Sequence, residues 1–383
     1  MAVRRRIRSK TGQMTLTFNW IFVLIAGAMI LLFFIGIIMK QKTVSEQKLN
    51  FDIVTVMDSI LTGSTVSERT INFVDISGLS GFELFFSCEI DGGGGYEELF
   101  AQYGISDSTA SSELPMQVLF APNTMEGTEM ITWSLPYKMP FKVMDVLMVT
   151  STSIKYYVIG GDGTAFRREL ENATSGFNIA FVKDVSEIAA PGDLYHVRII
   201  DLDGSTLVHS NPVPAILLDA DRGVVSGVRV SSTLTAVDYY TQRNGRWNIL
   251  TPQSSVPIML SGFEEKDAAL YGALFSSDDE SYMCNMMKVF KRQQILAKLY
   301  QEKVVEMISY YESGPAKAQY NSDCNLNLKE NPSNMEDALQ NLVSTLTTCV
   351  EQGYERCTDI PGYAQEIHTL NEKLGSANCE TLY

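Results

Sequence analysis

The sequence has few of the side chains that enzymes use for proton transfer and metal binding. It contains only three histidines, His196, His209 and His368, and they lie far apart along the chain. No GxSxG, HExxH or P-loop motif occurs, and no two cysteines form a CxxC pair. Acid–base catalysis and zinc sites depend most often on histidine and on such motifs. The sequence therefore predicts no catalytic residues, no metal site and no cofactor.

Charge is absent from one long stretch near the N-terminus. Phe18–Met39 contains 22 residues without a charged side chain, between Lys10 and Lys40. As a helix this stretch would be about 33 Å long, enough for a hydrocarbon core of about 30 Å. We expect a single transmembrane helix here, with the lipid bilayer as its partner. The alternative is a buried helix of a soluble domain.

Acidic residues are absent before Glu46, whereas five basic residues precede the apolar stretch. The positive-inside rule then places residues 1–17 in the cytoplasm as a basic tail and residues 40–383 outside. No small-residue cleavage site follows Met39, so the sequence favours an uncleaved signal anchor over a secretory signal peptide. The protein is expected in the cell membrane, with its ectodomain at the cell surface.

The residues just before the apolar stretch carry a short processing motif, KTGQMTLTF at positions 10–18. It resembles the archaeal class III signal of type IV pilin-like proteins, in which a prepilin-type peptidase cuts between Gly and Gln. The resemblance covers about residues 4–45 and implies cleavage between Gly12 and Gln13. That family usually has glutamate at the fifth mature position, where this chain has Thr17. The general layout resembles that of uncharacterised archaeal cell-surface proteins.

The part of the chain beyond the apolar stretch is acidic and contains all the cysteines. The whole chain carries a formal charge of −15, and the part after the basic tail carries −20. Such a surface repels nucleic acid, which we exclude as a partner. In an oxidising compartment we expect disulfides. Their pairing is open, and Cys88 stands alone in its region; the main candidates are Cys284, Cys324, Cys349, Cys357 and Cys379.

The hydrophobic pattern predicts an α+β ectodomain. Residues 40–63 form an amphipathic helical stalk that ends at Gly63, with one apolar face made of Leu49, Ile53, Val56 and Ile60. Residues 64–150 form a β-rich domain. Its strands are Thr70–Ile76, Phe82–Ile90, Met116–Ala121, Met130–Leu135 and Lys142–Val149.

Strand and helix signals alternate over residues 151–260, which predicts a small α/β domain with parallel pairing. The expected strands are Ile154–Ile159, Asn178–Val182, Tyr195–Ile200, Ala215–Leu218, Val224–Val230 and Trp247–Leu250, with a helix at Thr164–Asn172. Asp201–Gly204 reads as a hairpin turn rather than a calcium loop. The sequon Asn172-Ala173-Thr174 makes Asn172 a candidate for glycosylation.

Residues 261–383 predict a helical region that contains most of the cysteines. Glu264–Ser313 reads as one helix, ended by Gly314-Pro315, and Ser333–Gln352 and Pro361–Leu374 as two more. The apolar stripe of the first helix is Met287, Phe290, Leu296, Leu299, Val304, Ile308 and Tyr311.

One motif suggests a ligand site. A glycine-rich turn follows a strand and opens a helix, where a phosphate can bind. It consists of Gly160, Gly161, Asp162, Gly163 and Thr164. The motif resembles the GGDGT turn of the NAD-kinase and diacylglycerol-kinase families, and that resemblance implies a catalytic or metal-associated Asp162. The alternative is a structural turn with Asp162 capping the helix, and an outside location would separate the turn from ATP and NAD.

These observations favour a non-enzymatic surface protein that acts through protein–protein contacts. We expect it in a pilus-like or secretion assembly, as a homo- or hetero-oligomer with other membrane or surface proteins. One alternative is a nucleotide- or lipid-using, kinase-like enzyme built on Gly160–Thr164. An extracellular sensor module is another.

Overall fold

The fold begins with a helix and then alternates between sheets and helices. The computed structural model describes residues 25, 28–29, 31–33, 35, 48, 50–65, 69–79, 81–90, 99–106, 108, 110–113, 117–189, 196–218, 224–250, 255–264, 266–313 and 322–383. The first continuous element is helix α1, residues 50–65. It buries Ile53, Val54, Met57 and Leu61, which are spaced as one face of a helix requires.

Two four-stranded sheets follow α1. The first sheet has the order β1-β7-β8-β5, and the small sheet has the order β4-β3-β2-β6. Their strands are β1 (Ile71–Asp75), β2 (Leu84–Ile90), β3 (Leu99–Ile105), β4 (Ser111–Glu113), β5 (Leu119–Phe120), β6 (Thr124–Met125), β7 (Glu129–Lys138) and β8 (Lys142–Ser151). The long β7–β8 hairpin is nearly all buried, and Trp133 contacts Tyr271 and Phe275 edge-on.

A seven-stranded mixed sheet forms the middle of the chain, in the order β10-β9-β11-β12-β13-β14, with β15 paired to β13. Its elements are β9 (Ile154–Ile159), α2 (Ala165–Ala173), β10 (Ile179–Val182), β11 (His196–Asp201), β12 (Val224–Val230), β13 (Ala236–Arg243), β14 (Arg246–Ile249) and β15 (Val256–Pro257). Strands β10, β9, β11 and β12 are parallel, and β13 and β14 are antiparallel. Their runs of Val, Ile and Tyr suit strands that are covered on both faces.

The C-terminal part is helical. It contains α3 (Ala268–Phe275), α4 (Asp279–Ser313), α5 (Ser322–Asn325) with a π-helical turn at Leu326–Glu330, α6 (Met335–Gln352) and α7 (Ile360–Ser376). Helix α3 is completely buried, and Gly272 lets it approach the first sheet, because a Cβ there would lie 2.6 Å from Phe120 Cε2. Asn334 is the N-cap of helix α6, because its Oδ1 accepts the N–H of Asp337 at 2.9 Å.

Two hydrophobic clusters stabilise this arrangement. The larger cluster joins α1, both four-stranded sheets, one face of the mixed sheet and the C-terminal helices. The smaller cluster covers the other face of the mixed sheet and contains Tyr157, Ile199, Tyr240 and Trp247. The mixed sheet is thus covered on both faces, by helices on one side and by loops and 3-10 turns on the other.

The structure is α+β, but the predicted N-terminal transmembrane helix is corrected. Among the described residues, none of the helices has the length and apolar character needed to cross a bilayer. The longest of them, α4, carries charged residues along its whole length. Most of Phe18–Met39 lies outside the described residues, as does the predicted tail 1–17.

Several predicted elements are also corrected. Ala215–Leu218 is not a strand, because Ala215–Leu217 forms a 3-10 turn after Pro214. Asp201–Gly204 is not a hairpin turn, since β11 and β12 run parallel. The predicted helix Glu264–Ser313 is two helices, separated where the Asp278 carboxylate accepts the N–H of Ser281 and so starts α4.

The predicted stalk differs in its packing and its end. Helix α1 continues to residue 65, past Gly63. Val56, predicted to lie on its apolar face, is 57% exposed, whereas Val54 and Leu61 are buried. The hydrophobic pattern did not identify strands β3 and β13.

Candidate functional site

The Gly160–Thr164 turn lies between β9 and α2, as the sequence predicts. Gly160, Gly161 and Gly163 have φ values of 75°, 68° and 77°, a conformation that favours glycine. Thr164 is the N-cap of α2, and its Oγ1 accepts the N–H of Arg167 at 3.2 Å. Asp162 therefore does not cap the helix.

Asp162 instead forms an ion pair with a buried arginine. The distance between Asp162 Oδ1 and Arg167 Nη1 is 2.7 Å. The same guanidinium donates to the carbonyl oxygens of Gly160 at 2.6 Å and Val182 at 3.2 Å. Arg167 thus ties the turn to the carboxyl ends of β9 and β10, and its Nη1 and Nε groups donate to acceptors within the protein.

The strand order places this turn where open α/β sheets often bind ligands. The connection from β9 through α2 leads to β10 on one side of β9, whereas β11 pairs with the other side of β9. The order of the strands therefore reverses at β9, and a crevice is expected at the carboxyl end of this strand. The crevice is filled by the loop after β11, because a Cβ on Gly160 would lie 2.5 Å from Asp203 Oδ2. A phosphate here would face the carboxylates of Asp162 and Asp203. The geometry favours a structural turn.

The Asp201–Gly204 loop is organised by a buried carboxylate. The oxygens of Asp201 accept backbone N–H groups from Gly204 at 2.9 Å, Thr206 at 2.9 Å and Leu207 at 2.7 Å. Burial raises the pKa of Asp201, and the N–H of Leu207 partly opposes that shift. The carboxylate therefore shapes the loop. Within the described ranges, no group of His, Cys, Asp and Glu side chains could hold a metal ion.

An open cavity lies between the β7–β8 hairpin and α7 and has a volume of about 430 Å³. Its lining residues are aromatic, basic and acidic: Lys138, Pro140, Phe141, Lys142, Gly262, Phe263, Glu264, His368 and Tyr383. The rings of Phe263 and His368 lie 4.9 Å apart. His368 Nδ1 lies 3.3 Å from the hydroxyl of Tyr383. No sequence pattern indicated this cavity, because its residues come from distant segments.

The two lysines and the glutamate that line this cavity all form ion pairs. Lys138 Nζ lies 2.5 Å from Glu264 Oε1, and Arg69 also contacts this carboxylate. Burial alone would raise the pKa of Glu264, but Lys138 and Arg69 outweigh burial and lower it. Lys142 forms an ion pair with Asp145 at 2.9 Å. The cavity can hold a small polar molecule, yet its charged side chains are already paired within the protein.

All six cysteines form disulfides: Cys88–Cys284, Cys324–Cys379 and Cys349–Cys357. The five C-terminal candidates are all bonded, and Cys88, which stands alone in its region, pairs with Cys284 on α4. The first bridge joins residues 196 positions apart and attaches the small sheet to α4. The other two link the C-terminal helices and the segments between them.

One side of α4 carries exposed apolar side chains. Ile295 is 57% exposed, Leu299 55%, Val305 54% and Tyr310 51%. Exposed charged side chains lie between them. We call this the outer face of α4: Arg292, Ile295, Lys298, Leu299, Glu302, Val305, Glu306, Tyr310 and Glu312. The sequence placed Leu299 on the buried stripe, because α4 has apolar residues on two sides.

Two predicted modification sites remain, one for peptidase cleavage and one for glycosylation. Gly12 and Gln13, the predicted processing site, lie outside the described residues. Asn172 is exposed in the last turn of α2, whereas Thr174 of the same sequon is buried and donates its hydroxyl to the Leu170 carbonyl oxygen at 2.7 Å. Glycosylation of Asn172 stays a prediction.

No protein-family model matches this chain, and no significant match was found among curated proteins or among solved structures.

Proposed function

We propose that this chain is a non-enzymatic protein that works outside the cytoplasm through contacts with other proteins at the cell surface. The observation that carries the proposal is the set of three disulfides. Disulfides form and persist in oxidising compartments and are rare in the cytosol. An exported body whose distant segments are cross-linked in this way suits a stable binding or structural role.

The packing of α1 supports a pilus-like or secretion assembly. Pilin-like subunits are built from an N-terminal helix that packs on an antiparallel sheet, which is the arrangement of α1 here. The hydroxyl of Tyr103 on β3 donates to the Val54 carbonyl oxygen at 3.3 Å. The hydroxyls of Ser64 and Thr132 lie 3.0 Å apart, which attaches the end of α1 to β7. The helix is thereby fixed to both four-stranded sheets.

The outer face of α4 supports the interaction part of the proposal. Four large apolar side chains there are each more than half exposed. Large apolar side chains that stay exposed on one element, with charged side chains between them, make that element a candidate for a protein interaction site. Their position on a long helix that is packed against β2 and α6 gives a rigid surface.

Surface labelling of intact cells tests the location. An impermeant amine-reactive biotin reagent should modify peptides that contain the exposed Lys183 and Lys298 before the cells are opened. A cytoplasmic protein of the same cells serves as the control for leakage. Labelling that requires opened cells would contradict the proposal.

Photo-cross-linking in cells tests the interaction. A photoreactive amino acid at Leu299 should give a discrete adduct of higher mass, identified by mass spectrometry. The same amino acid at Lys183, on the mixed-sheet side, is the matched control. No adduct at Leu299, or equal adducts at both positions, would overturn a role that depends on protein contacts at α4.

A further inference from the structure

Part of the lining of the open cavity between the β7–β8 hairpin and α7 is aromatic. The rings of Phe263 and His368 lie 4.9 Å apart and are tilted by 56°. The ring of Tyr383 packs edge-on against that of buried Phe141, with 6.1 Å between the two centroids. Phe263, His368 and Tyr383 are each at least partly exposed. The cavity therefore offers several aromatic rings to a molecule that enters from solvent.

The charged part of the lining consists of side chains that are already paired. The Glu264 carboxylate binds Lys138, and Lys142 binds Asp145. An ionic ligand would compete with one of these pairs, and the Glu264 side chain is only 9% exposed, so an uncompensated charge there is costly. A neutral hydroxyl group can instead join an ion pair, because it accepts from the ammonium group and donates to the carboxylate.

Tyr383 and His368 add further hydrogen-bonding groups close to the rings. Burial raises the pKa of Tyr383, so its hydroxyl keeps its proton and can both donate and accept. This hydroxyl lies 3.3 Å from His368 Nδ1, and His368 Nε2 lies 3.5 Å from the Glu372 carboxylate. The cavity thus combines apolar rings with closely spaced donors and acceptors.

We infer that this cavity binds a neutral pyranose, a six-membered sugar ring that carries several hydroxyl groups. One face of a pyranose presents C–H bonds, whose partial positive charge matches the negative face of an aromatic ring. Its hydroxyl groups both donate and accept, as the paired Lys138 and Glu264 require. The volume of about 430 Å³ lies in the range of about 300–1,000 Å³ that small-molecule pockets have. This ligand goes beyond the proposed function, which concerns contacts with proteins.

NMR titration of the full-length, oxidised chain, with saturation-transfer difference spectra of the ligand, tests this inference. The probes are methyl glucoside, methyl galactoside and methyl mannoside, in buffer without sugar-based detergent. At least one of them should bind with a Kd of about 1 mM, as expected for a ligand of this size. Glucuronate, which carries a carboxylate, and L-phenylalanine, which carries both charges and an aromatic ring, should bind at least about tenfold more weakly.

A further probe distinguishes the two sources of a pyranose. A disaccharide that ends in the preferred sugar should bind as tightly as the methyl glycoside if the natural ligand is a glycan chain. Binding of the methyl glycoside without binding of the disaccharide supports the same site for a free sugar.

Substitutions in the lining locate the bound sugar. Phe263→Leu keeps an apolar side chain but removes the aromatic face, and should weaken binding about fivefold. Glu264→Gln removes the charged acceptor and should weaken binding about tenfold. Phe73→Leu is the matched control, because Phe73 is an exposed phenylalanine on β1 that does not line the cavity. It should leave binding unchanged, and urea unfolding of each variant separates loss of contact from loss of fold.

Three outcomes overturn the sugar site. One is the absence of a saturable signal from all three methyl glycosides up to about 50 mM, well above the millimolar range. Another is a Kd that Phe263→Leu leaves unchanged. The third is glucuronate or L-phenylalanine binding more tightly than every glycoside. Each of these results leaves the proposed function intact, because that proposal rests on the disulfides and on α4.

Discussion

The C-terminal helices and the mixed sheet are stabilised in different ways. Every disulfide has at least one cysteine in α4 or in the residues after it, and Cys88 is the only one from elsewhere. The mixed sheet contains no cysteine. It depends on strand hydrogen bonds, on a buried arginine and on apolar side chains that cover both of its faces.

This difference follows from how the backbone of each region is connected and paired. Strands β9, β11 and β12 pair on both edges, so their backbone groups are satisfied within the sheet. The C-terminal helices are joined by loops, and a covalent bridge limits the entropy of those connections in the unfolded chain. The stability of the C-terminal helices should therefore depend on oxidised cysteines, and the stability of the mixed sheet on buried polar contacts.

The largest expected effect is the loss of the Cys88–Cys284 bridge. Its cysteines are 196 positions apart, so the chain-entropy model gives about 5 kcal/mol for the double serine variant. The Cys349–Cys357 bridge closes only 8 positions, and its removal should cost about 2.5 kcal/mol. Urea unfolding measures both. Equal losses of unfolding free energy for the two variants would contradict the larger stabilisation expected from the Cys88–Cys284 bridge.

The next effect concerns the contact between the mixed sheet and α3. Arg198 on β11 is 3% exposed and donates to the carbonyl oxygens of Leu274 at 3.1 Å and Ser277 at 3.3 Å. Arg198→Met leaves these buried acceptors without their donor, and we expect a loss of about 3–4 kcal/mol.

Its matched control is Arg243→Met, at an exposed position of the same sheet, which should change the free energy of unfolding by less than about 0.5 kcal/mol. Similar losses for both variants in urea unfolding would mean that Arg198 does not hold α3 on the sheet.

A pH effect should arise from the mixed sheet. Burial, and then the charge of Arg198, lower the pKa of His196 from 6.5 to about 4. Because the folded pKa is below the unfolded one, the folded state binds fewer protons between these values. The stabilisation is complete above pH 6.5 and is lost as the pH falls towards 4, by roughly 3 kcal/mol.

His196→Gln should flatten the change in unfolding free energy over this pH range, while His209→Gln, at an exposed position, should not. Unfolding curves at pH 7, 5.5 and 4.5 measure the difference. An unchanged slope in His196→Gln would refute the assignment of this effect to His196.

The smallest effect tests the Gly160–Thr164 turn. Gly160→Ala combines a positive φ with a Cβ only 2.5 Å from Asp203 Oδ2, so we expect a loss of about 2–3 kcal/mol. Gly163→Ala has a similar φ but open space around its Cβ, and should lose about 1 kcal/mol. Equal losses in thermal unfolding would show that Asp203 does not restrict the turn.

Local sequence signals predicted those elements whose formation is decided locally. The β9–α2–β10 unit follows from a β-branched and aromatic strand and a glycine turn, although the cap of α2 is Thr164 and not the predicted Asp162. Helix α6 follows from Asn334 as its cap and an acidic first turn. In these places propensity and tertiary packing favour the same structure.

Features that depend on distant contacts could not be predicted in this way. The partner of Cys88 lies 196 positions away, and cysteine spacing carries no information about such a pairing. Strand β13 was missed because its residues, AVDYYTQR, become a strand through pairing with β12 and β14. The outer face of α4 was missed because only packing distinguishes its buried apolar side from its exposed one.

The state of the cysteines in native cells tests the central claim most directly. Cells are lysed in denaturant with an excess of alkylating reagent and no reductant, and the intact mass of the full chain is measured. The account predicts no alkylated cysteine, and six after reduction. A chain that carries alkyl groups without reduction would contradict an oxidised body outside the cytoplasm.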